Sequence, residues 1–306
     1  MNPHASEKIW TILDLVQWGK AYFEEKGVDS PRLTIELMLA HVLKMQRIQL
    51  YTAFDRPLAA SELSTLRDMV RRRAKREPLQ YILGEAHFYN IVVEVSPAVL
   101  IPRPETELLV EYVLNTISKR PPYTSQTLRL LDIGTGSGCI ALALGKGLAE
   151  KGIQAEIEAW DVSEGALHLA SQNAQRCGIE NTRFLQQDIL AYSPNTNSPN
   201  TSIDKPFDVI VSNPPYIPLA EIAELQAEVR DYEPVNALTD NADGTRFYRH
   251  FSAVFPKMLA PNGFFAVEMG FGQASAVVAL FEENGFQTHV ENDLAGIPRI
   301  CAGWRR

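Results

Sequence analysis

Cysteine is scarce in this sequence of 306 residues, and the three cysteines form no pattern. Cys139, Cys177 and Cys301 lie far apart without a C-x-x-C pair, so neither a disulfide framework nor a zinc cluster is predicted. Long apolar runs are missing as well, since stretches such as Leu37 to Ala40 fall far below the ~20 residues that a membrane span needs. Residues 1–6 lack the apolar core of a signal peptide. We therefore expect a cytoplasmic protein without a membrane partner.

Positive charge is also in short supply. The sequence has 29 Lys and Arg against 37 Asp and Glu, a net charge of −8. General electrostatic binding of nucleic acid is not expected, because phosphate neutralisation needs a basic surface. Residues 1–85 nevertheless hold 13 cations against 11 acids, which leaves 16 against 26 for the remainder. The basic cluster Arg71 to Arg76 is interpreted either as a solvated helix end or as a docking patch for an acidic or RNA-bound partner.

What remains is typical of a globular protein, with 45% hydrophobic and 22% charged residues and a length that favours two domains or one large α/β domain. Residues 1–85 are predicted to be helical, because apolar residues recur there at helical spacing and Ser30-Pro31 is a typical helix start. The residues that carry these patterns are Ile9, Ile12, Leu13 and Val16 for the first helix, Leu33 to Leu43 for the second, and Leu63, Leu66 and Val70 for the third.

The pattern changes after residue 85. The β-rich residues from His87 to Val99, with a turn at Asn90, predict a hairpin. Beyond it, predicted strands and helices alternate, which is typical of βαβ units and a mainly parallel sheet. The predicted elements are strand 128–133, a helix from Gly138, strand 157–160, helix 164–176 closed by Gly178, strand 184–187 and strand 207–212. Two polar stretches, 119–127 and 193–206, are interpreted as insertions.

A glycine turn follows the first of these strands. Gly134, Gly136 and Gly138 come directly after a buried strand and before a helix, as in the first crossover of a nucleotide-binding sheet. The dinucleotide fingerprint would place its third glycine at position 139, so the spacing disfavours an NAD enzyme. Asp132 would repel a pyrophosphate but suits a cationic ligand such as S-adenosylmethionine.

Acids close the next two strands as well. Asp161 stands where a carboxylate would hold ribose hydroxyls, and Asp188 can accept from the exocyclic amine of adenine. Either acid alone would be interpreted as a helix N-cap. Three acids at three successive strand ends around a glycine turn favour a nucleoside ligand.

The last predicted strand runs into Asn213-Pro214-Pro215-Tyr216. The prolines confine this segment to extended geometry. The side-chain oxygen of Asn213 and the backbone oxygen of Pro214 can then accept both hydrogens of a planar NH2 group, while Tyr216 lies against its π-face. Such a grip predicts methyl transfer to nitrogen by orientation and electrostatic preorganisation.

Together, the Asp132–Gly138 turn and the Asn-Pro-Pro-Tyr segment make the chain resemble class I S-adenosylmethionine-dependent methyltransferases that act on planar NH2 groups. Two branches share the second motif, namely adenine-N6 nucleic-acid methyltransferases and the peptide chain release factor glutamine methyltransferases. The sequence resembles the second branch through residues 78–84 (PLQYILG), 100–107 (LIPRPETE) and 293–303.

This resemblance implies an α/β fold, with a seven-stranded, mainly parallel Rossmann-like sheet and a small helical amino-terminal domain joined to it by a β-hairpin. The implied domains are a substrate-recognition domain over 1–85, the hairpin linker over 86–100 and the methyltransferase domain over 101–306. The implied activity is methyl transfer from S-adenosylmethionine to the side-chain amide nitrogen (N5) of the glutamine in the Gly-Gly-Gln motif. The implied protein is a monomer, its partner is a class 1 release factor, and it needs no metal and no specific nucleic acid.

Site residues are implied in the same way. The implied cofactor-binding residues are Asp132, Ile133, Gly134, Thr135, Gly136, Asp161, Asp188, Ile189 and Asn213. The implied substrate-binding residues are Asn213, Pro214, Pro215 and Tyr216, of which Asn213, Pro214 and Tyr216 are also the implied catalytic residues. Arg103 to Thr106 are interpreted either as an extended linker before a helix or as a further wall of the site.

Two other functions remain open. An adenine-N6 methyltransferase would need a duplex-gripping surface, and the charge of −10 over the catalytic part disfavours one. A non-catalytic adaptor that kept a nucleoside-binding fold is the second alternative, since fold alone does not give function. The presence of Asp132, Asp161 and Asn213 argues against the adaptor.

Overall fold

The structure, a computed structural model, describes residues 8–119, 127–192 and 205–305. Contacts divide the chain into two compact units. The helical unit consists of the residues up to Gly84 together with Ala227–Tyr232, and the sheet unit consists of Glu85–Gln226 and the residues from Glu233 onward. The polar stretches predicted as insertions lie almost wholly outside the described residues. No helix in the described ranges has both the length and the apolar character needed to cross a membrane.

Helices and strands follow one another along the chain within these bounds. The helices are α1 (Ile12–Glu25), α2 (Pro31–Leu43), α3 (Arg47–Leu50), α4 (Ala60–Arg73), α5 (Leu79–Leu83), α6 (Pro104–Ser118), α7 (Cys139–Glu150), α8 (Glu164–Cys177), α9 (Ala227–Arg230), α10 (Val235–Leu238), α11 (Arg246–Met258) and α12 (Ala274–Glu283). The strands are β1 (Glu85–Phe88), β2 (Ile91–Glu94), β3 (Leu128–Ile133), β4 (Ala155–Asp161), β5 (Thr182–Gln186), β6 (Phe207–Ser212), β7 (Leu259–Glu268), β8 (Phe286–Asn292) and β9 (Pro298–Arg305).

The helical unit packs α1, α2 and α4 around one apolar core. Its first helix begins later than the spacing predicted, because Thr11 and Asp14 form a capping box that starts the helix at Ile12. Ile9 therefore lies outside the helix and is 74% exposed, so its prediction as a residue of the first helix was wrong. Pro31 begins α2 as predicted, although the Ser30 side chain makes no capping hydrogen bond.

The basic cluster at the end of α4 is used largely inside the helical unit. Arg73 is buried and donates to Glu228 at 3.1 Å, and Arg76 donates to the other oxygen of Glu228 at 2.7 Å. Arg72 forms a two-pronged ion pair with Glu77, at 2.6 and 2.9 Å. Neither earlier interpretation holds for Arg73, because a buried, paired guanidinium is neither a solvated helix end nor free to dock a partner.

The sheet unit is built on seven strands in the order β5-β4-β3-β6-β7-β9-β8. The first five in this order run parallel, and β9 pairs antiparallel with both β7 and β8. The hairpin β1–β2 also belongs to this unit. The sheet thus has the predicted seven strands and mainly parallel arrangement.

Local sequence signals correctly predicted several of the elements around the glycine turn. Strands β3 and β6 have the predicted bounds, and α8 is closed as predicted by Gly178, which follows its last residue in the left-handed conformation with φ of 67°. Strands β3 and β6 lie side by side, with Ile133 in register with Ser212. The strand order reverses between these two strands, and a crevice forms beyond their carboxyl ends, the usual place for a ligand in such a sheet.

Candidate active site

A cavity of 280 Å³ opens at the carboxyl ends of β3, β4, β5 and β6, close to the lower end of the range of about 300–1,000 Å³ for small-molecule sites. It is lined by predicted residues from all four strand ends: Ile133, Gly134, Gly136, Asp161, Asp188, Ile189, Asn213, Pro214 and Pro215. Asp132, Thr135 and Tyr216 were predicted with them but do not line the cavity.

The glycine turn is held against the end of β4. The amides of Gly134 and Thr135 both donate to the carbonyl oxygen of Trp160, at 2.8 and 3.0 Å. Gly134 and Gly136 have φ of 74° and 55°, which side chains disfavour, so glycine suits both positions. Gly138 has a positive φ as well, 81°, and a Cβ there would also lie 3.2 Å from that of Ala170 on α8. The turn therefore presents bare backbone to the cavity.

Asp132 lies at the end of β3 next to the glycine turn and does not line the cavity, so its contact with a cationic ligand stays a prediction. Its side chain is fully buried, and its Oδ2 accepts from the hydroxyl of Thr135 at 2.7 Å. Burial raises the pKa of Asp132 to about 7, although the hydrogen bond from Thr135 opposes the rise. Asp132 and Thr135 thus shape the turn from inside the protein.

The acids at the next two strand ends do reach the cavity. Asp161 accepts from the amide of Gly136 at 2.9 Å through Oδ2 and from the amide of Ser163 at 2.9 Å through Oδ1. Asp188 accepts from the amide of Leu190 at 2.9 Å, as the N-cap of a short 3₁₀ helix that begins with Ile189. Each carboxylate retains lone pairs for a ligand, so capping and ligand binding are compatible here.

Asn213 stands beside the glycine turn, with its backbone oxygen 4.0 Å from where a Cβ on Gly134 would lie. Its side-chain Nδ2 donates to the hydroxyl of Thr106 at 3.1 Å. Within the part of the chain that the structure describes, its Oδ1 accepts no hydrogen bond. Asn213 therefore offers an acceptor to the cavity.

Tyr216 is half-buried and does not line the cavity, so its place against the π-face of the substrate stays a prediction. Its hydroxyl donates to Oε1 of the buried Glu268 at 3.2 Å, and its ring packs against the core. Burial, together with the charge of Glu268, raises the pKa of Tyr216. The Tyr216 carbonyl accepts from Gln273 at 2.8 Å, and a Cβ on Gly244 would lie 2.3 Å from it. Tyr216 thus anchors the Asn-Pro-Pro segment to the interior.

Sequence reasoning missed the residues that brace the site from distant parts of the chain. Asp240 accepts from three backbone amides and holds the loop over residues 239–246, which lines the cavity. Glu233 accepts from Arg103 at 2.6 Å and from the amide of Ile101 at 3.2 Å. The Arg103 to Thr106 segment therefore supports the site without lining it. The only sequence signal for the Asp240 turn was an acid shortly before a glycine.

Metal ligands are not grouped at this site. Across the described residues, no set of three or more His, Cys, Asp or Glu side chains is placed to hold a metal ion. The polar residues that line the cavity carry carboxylates, amides, hydroxyls and the guanidinium of Arg246.

Comparison with known proteins finds similarity over both units. Residues 14–84 match a family described as the PrmC N-terminal domain, and residues 124–290 match a methyltransferase domain family. The release factor glutamine methyltransferase of Geobacter sulfurreducens is 43% identical over 97% of each chain. That of Chlorobaculum tepidum is 40% identical over 96% of this chain and 97% of its own. That of Bacillus subtilis is 36% identical over 95% and 97%.

Solved structures give a more distant likeness. A methyltransferase from Pyrococcus furiosus is 18% identical, with a TM-score of 0.47 over 71% of this chain and 90% of its own.

Proposed function

Because the chain belongs to the release factor glutamine methyltransferase family, we propose that the cavity beyond β3 to β6 binds S-adenosylmethionine next to the glutamine that receives the methyl group. The chain is an S-adenosylmethionine-dependent methyltransferase, and its protein substrate is a release factor. The proposal concerns which residues perform the reaction.

The residues present fit this cosubstrate. Gly134 and Gly136 let the ligand approach the backbone without a Cβ in the way. Asp161 and Asp188 line the same cavity, where their carboxylates suit the hydroxyl donors of ribose and the amine of adenine. Ile189 is buried beside Asp188 and offers an apolar surface to the base.

The chemistry required of the protein is orientation. S-adenosylmethionine supplies an electrophilic methyl group on its sulfonium. Oδ1 of Asn213 and the carbonyl oxygen of Pro214 accept the two hydrogens of the glutamine NH2, which turns the nitrogen toward that methyl group. The nitrogen bonds to the methyl carbon as the bond from that carbon to sulfur breaks, which leaves a neutral thioether. Both acceptors stabilise the positive charge that develops on the nitrogen, and one N–H proton then passes to the solvent.

One observation carries this assignment. The amide of Asn213 commits its nitrogen to Thr106, and Asn213 lines the cavity, so its Oδ1 is the side-chain atom left to accept from a ligand. An acceptor is what a carboxamide NH2 needs, whereas a donor there would repel it. The stiff Pro214-Pro215 segment that follows lines the same wall.

The substrate and its recognition can be proposed in finer detail. We infer that the methylated glutamine is that of the Gly-Gly-Gln motif in a class 1 release factor, bound by a cytoplasmic monomer. The cavity can recognise only the planar carboxamide group of the glutamine, which many proteins carry. Selection of a release factor among other proteins therefore requires a second binding surface. The helical unit is the candidate for that surface, although Arg73 and Arg76 are already paired with Glu228.

Methyl transfer from labelled S-adenosylmethionine tests the proposal. The protein should label an intact class 1 release factor, and a release factor whose Gly-Gly-Gln glutamine is replaced should stay unlabelled. Label in duplex DNA under the same conditions, with none in the release factor, would refute the proposal and favour adenine methylation.

A further inference from the structure

We propose that Thr106 is a positioning residue, whose hydroxyl, itself fixed by Glu268, holds the amide of Asn213 with its oxygen facing the substrate. This inference rests on the proposed function, since it explains how Asn213 keeps the orientation that methyl transfer needs.

The need for such a residue follows from the shape of an amide. The oxygen and the NH2 group of asparagine are nearly equal in size, so packing alone does not distinguish the two orientations of Asn213. In the reversed orientation, Asn213 would present its NH2 to the NH2 of the substrate. Two donors would then face each other, and the glutamine would lose one of its two acceptors.

A hydroxyl alone cannot decide the orientation, because it both donates and accepts. Glu268 removes this freedom. It stands at the end of β7, is 2% exposed, and its Oε1 already accepts from Tyr216. Its Oε2 is buried and has no hydrogen-bond partner within the described residues, so the ionised carboxylate can still accept the proton of Thr106. Burial raises the pKa of Glu268, and a hydrogen bond from Thr106 to the ionised carboxylate opposes that rise.

The last hydrogen bond in this series joins Asn213 to Thr106. Once the Thr106 hydroxyl donates to Glu268, its oxygen is left to accept, and Nδ2 of Asn213 donates to it at 3.1 Å. The hydroxyl is also held in place from its own backbone. Thr106 is buried in the first turn of α6, and its amide bonds to the carbonyl of Arg103, whose side chain is paired with Glu233 at 2.6 Å. The order Glu268, Thr106, Asn213 thus fixes the direction of each hydrogen bond.

The test compares side chains with and without the hydroxyl at position 106. Thr106→Val keeps the shape and should lower kcat for release factor methylation by about 10- to 100-fold, the loss expected when a transition-state acceptor is misplaced. Thr106→Ser keeps the hydroxyl and should restore kcat to near the wild-type value. S-adenosylmethionine affinity, measured by calorimetry, should stay unchanged in both. Thr116→Val, the same substitution further along α6, is the matched control and should leave kcat unchanged.

Repeating the substitution in the Asn213→Ala variant separates this inference from the function on which it rests. In Asn213→Ala, adding Thr106→Val should cause no further loss, because Thr106 acts through Asn213. Full activity of Thr106→Val alongside a slow Asn213→Ala would overturn the positioning role and leave the proposed function standing. Full activity of Asn213→Ala would overturn both. If Thr106→Val does not fold, Thr106→Ala removes the hydroxyl without adding bulk, and the same outcomes apply.

Discussion

Replacing Glu268 by glutamine should change how the stability of the protein depends on pH. Burial raises the pKa of Glu268 from 4.5 to about 7, while hydrogen bonds from Thr106 and Tyr216 oppose the rise. The folded state therefore holds this proton more tightly than the unfolded state does. Below the unfolded pKa both states are protonated and the group has no effect. As the pH rises from there to about 7, the unfolded state releases its proton first, so the free energy of unfolding falls.

The size of the effect follows from the two pKa values. A shift from 4.5 to about 7 makes the free energy of unfolding fall by about 2 kcal/mol between pH 5.5 and pH 8. Glutamine fills the same space and carries no proton that titrates in this range. The Glu268→Gln variant should therefore lose this part of the fall and be more stable than the wild type at the upper end of the range.

Urea unfolding at several pH values measures the difference. Asp132 is buried with a raised pKa as well, so Asp132→Asn should remove a comparable part of the pH dependence. Glu283→Gln is the control, because it makes the same substitution at an exposed position. It should leave the dependence of the unfolding free energy on pH as it is in the wild type. A Glu268→Gln variant whose stability falls with pH as steeply as that of the wild type would refute the reasoning.

Two further substitutions test the cosubstrate site and the core of the helical unit. Asp161→Ala should weaken S-adenosylmethionine binding by about 2–3 kcal/mol in calorimetry, because charge-assisted hydrogen bonds are lost. Glu156→Ala, at an exposed position on the same strand, should leave the affinity unchanged. If Asp161→Ala binds the cosubstrate as tightly as the wild type, Asp161 only holds the turn. Glu228→Ala should lower the free energy of unfolding by about 3–5 kcal/mol, because Arg73 would stay buried and unpaired. Glu77→Ala breaks the more exposed ion pair with Arg72 and should lower it by about 1 kcal/mol or less. Similar losses in the two variants would contradict the argument that burial makes the first pair matter more.

Local patterns predicted the parts of the site that local chemistry determines. A mainly apolar strand that runs directly into a glycine turn is a strong local signal, and β3 lies where the sequence predicted it. The same holds for β6 and the prolines that end it. These signals placed Gly134, Asp161 and Asn213 at one edge of the sheet, because carboxyl ends of parallel strands share that edge.

The direction of side chains at those strand ends could not be predicted in the same way. Asp132 is buried and bonded to Thr135, and Tyr216 is half-buried and bonded to Glu268; only the packing around the turn and β7 decides these contacts. The braces are also remote in sequence. Thr106 lies 107 positions from Asn213, and Arg73 lies 155 positions from Glu228. No local pattern records such pairs, since they exist only once the chain has folded.

The central claim is that Asn213 orients the glutamine of a release factor for methylation. Its most direct test is mass spectrometry of a class 1 release factor after incubation with S-adenosylmethionine and either wild-type protein or Asn213→Ala, with cosubstrate affinity checked by calorimetry. With the wild type we predict one added methyl group, mapped to the Gly-Gly-Gln glutamine. With Asn213→Ala we predict that the rate of methylation falls by about a hundredfold or more, at equal cosubstrate affinity. A wild-type rate from Asn213→Ala, or a methyl group mapped to another residue, would contradict the account.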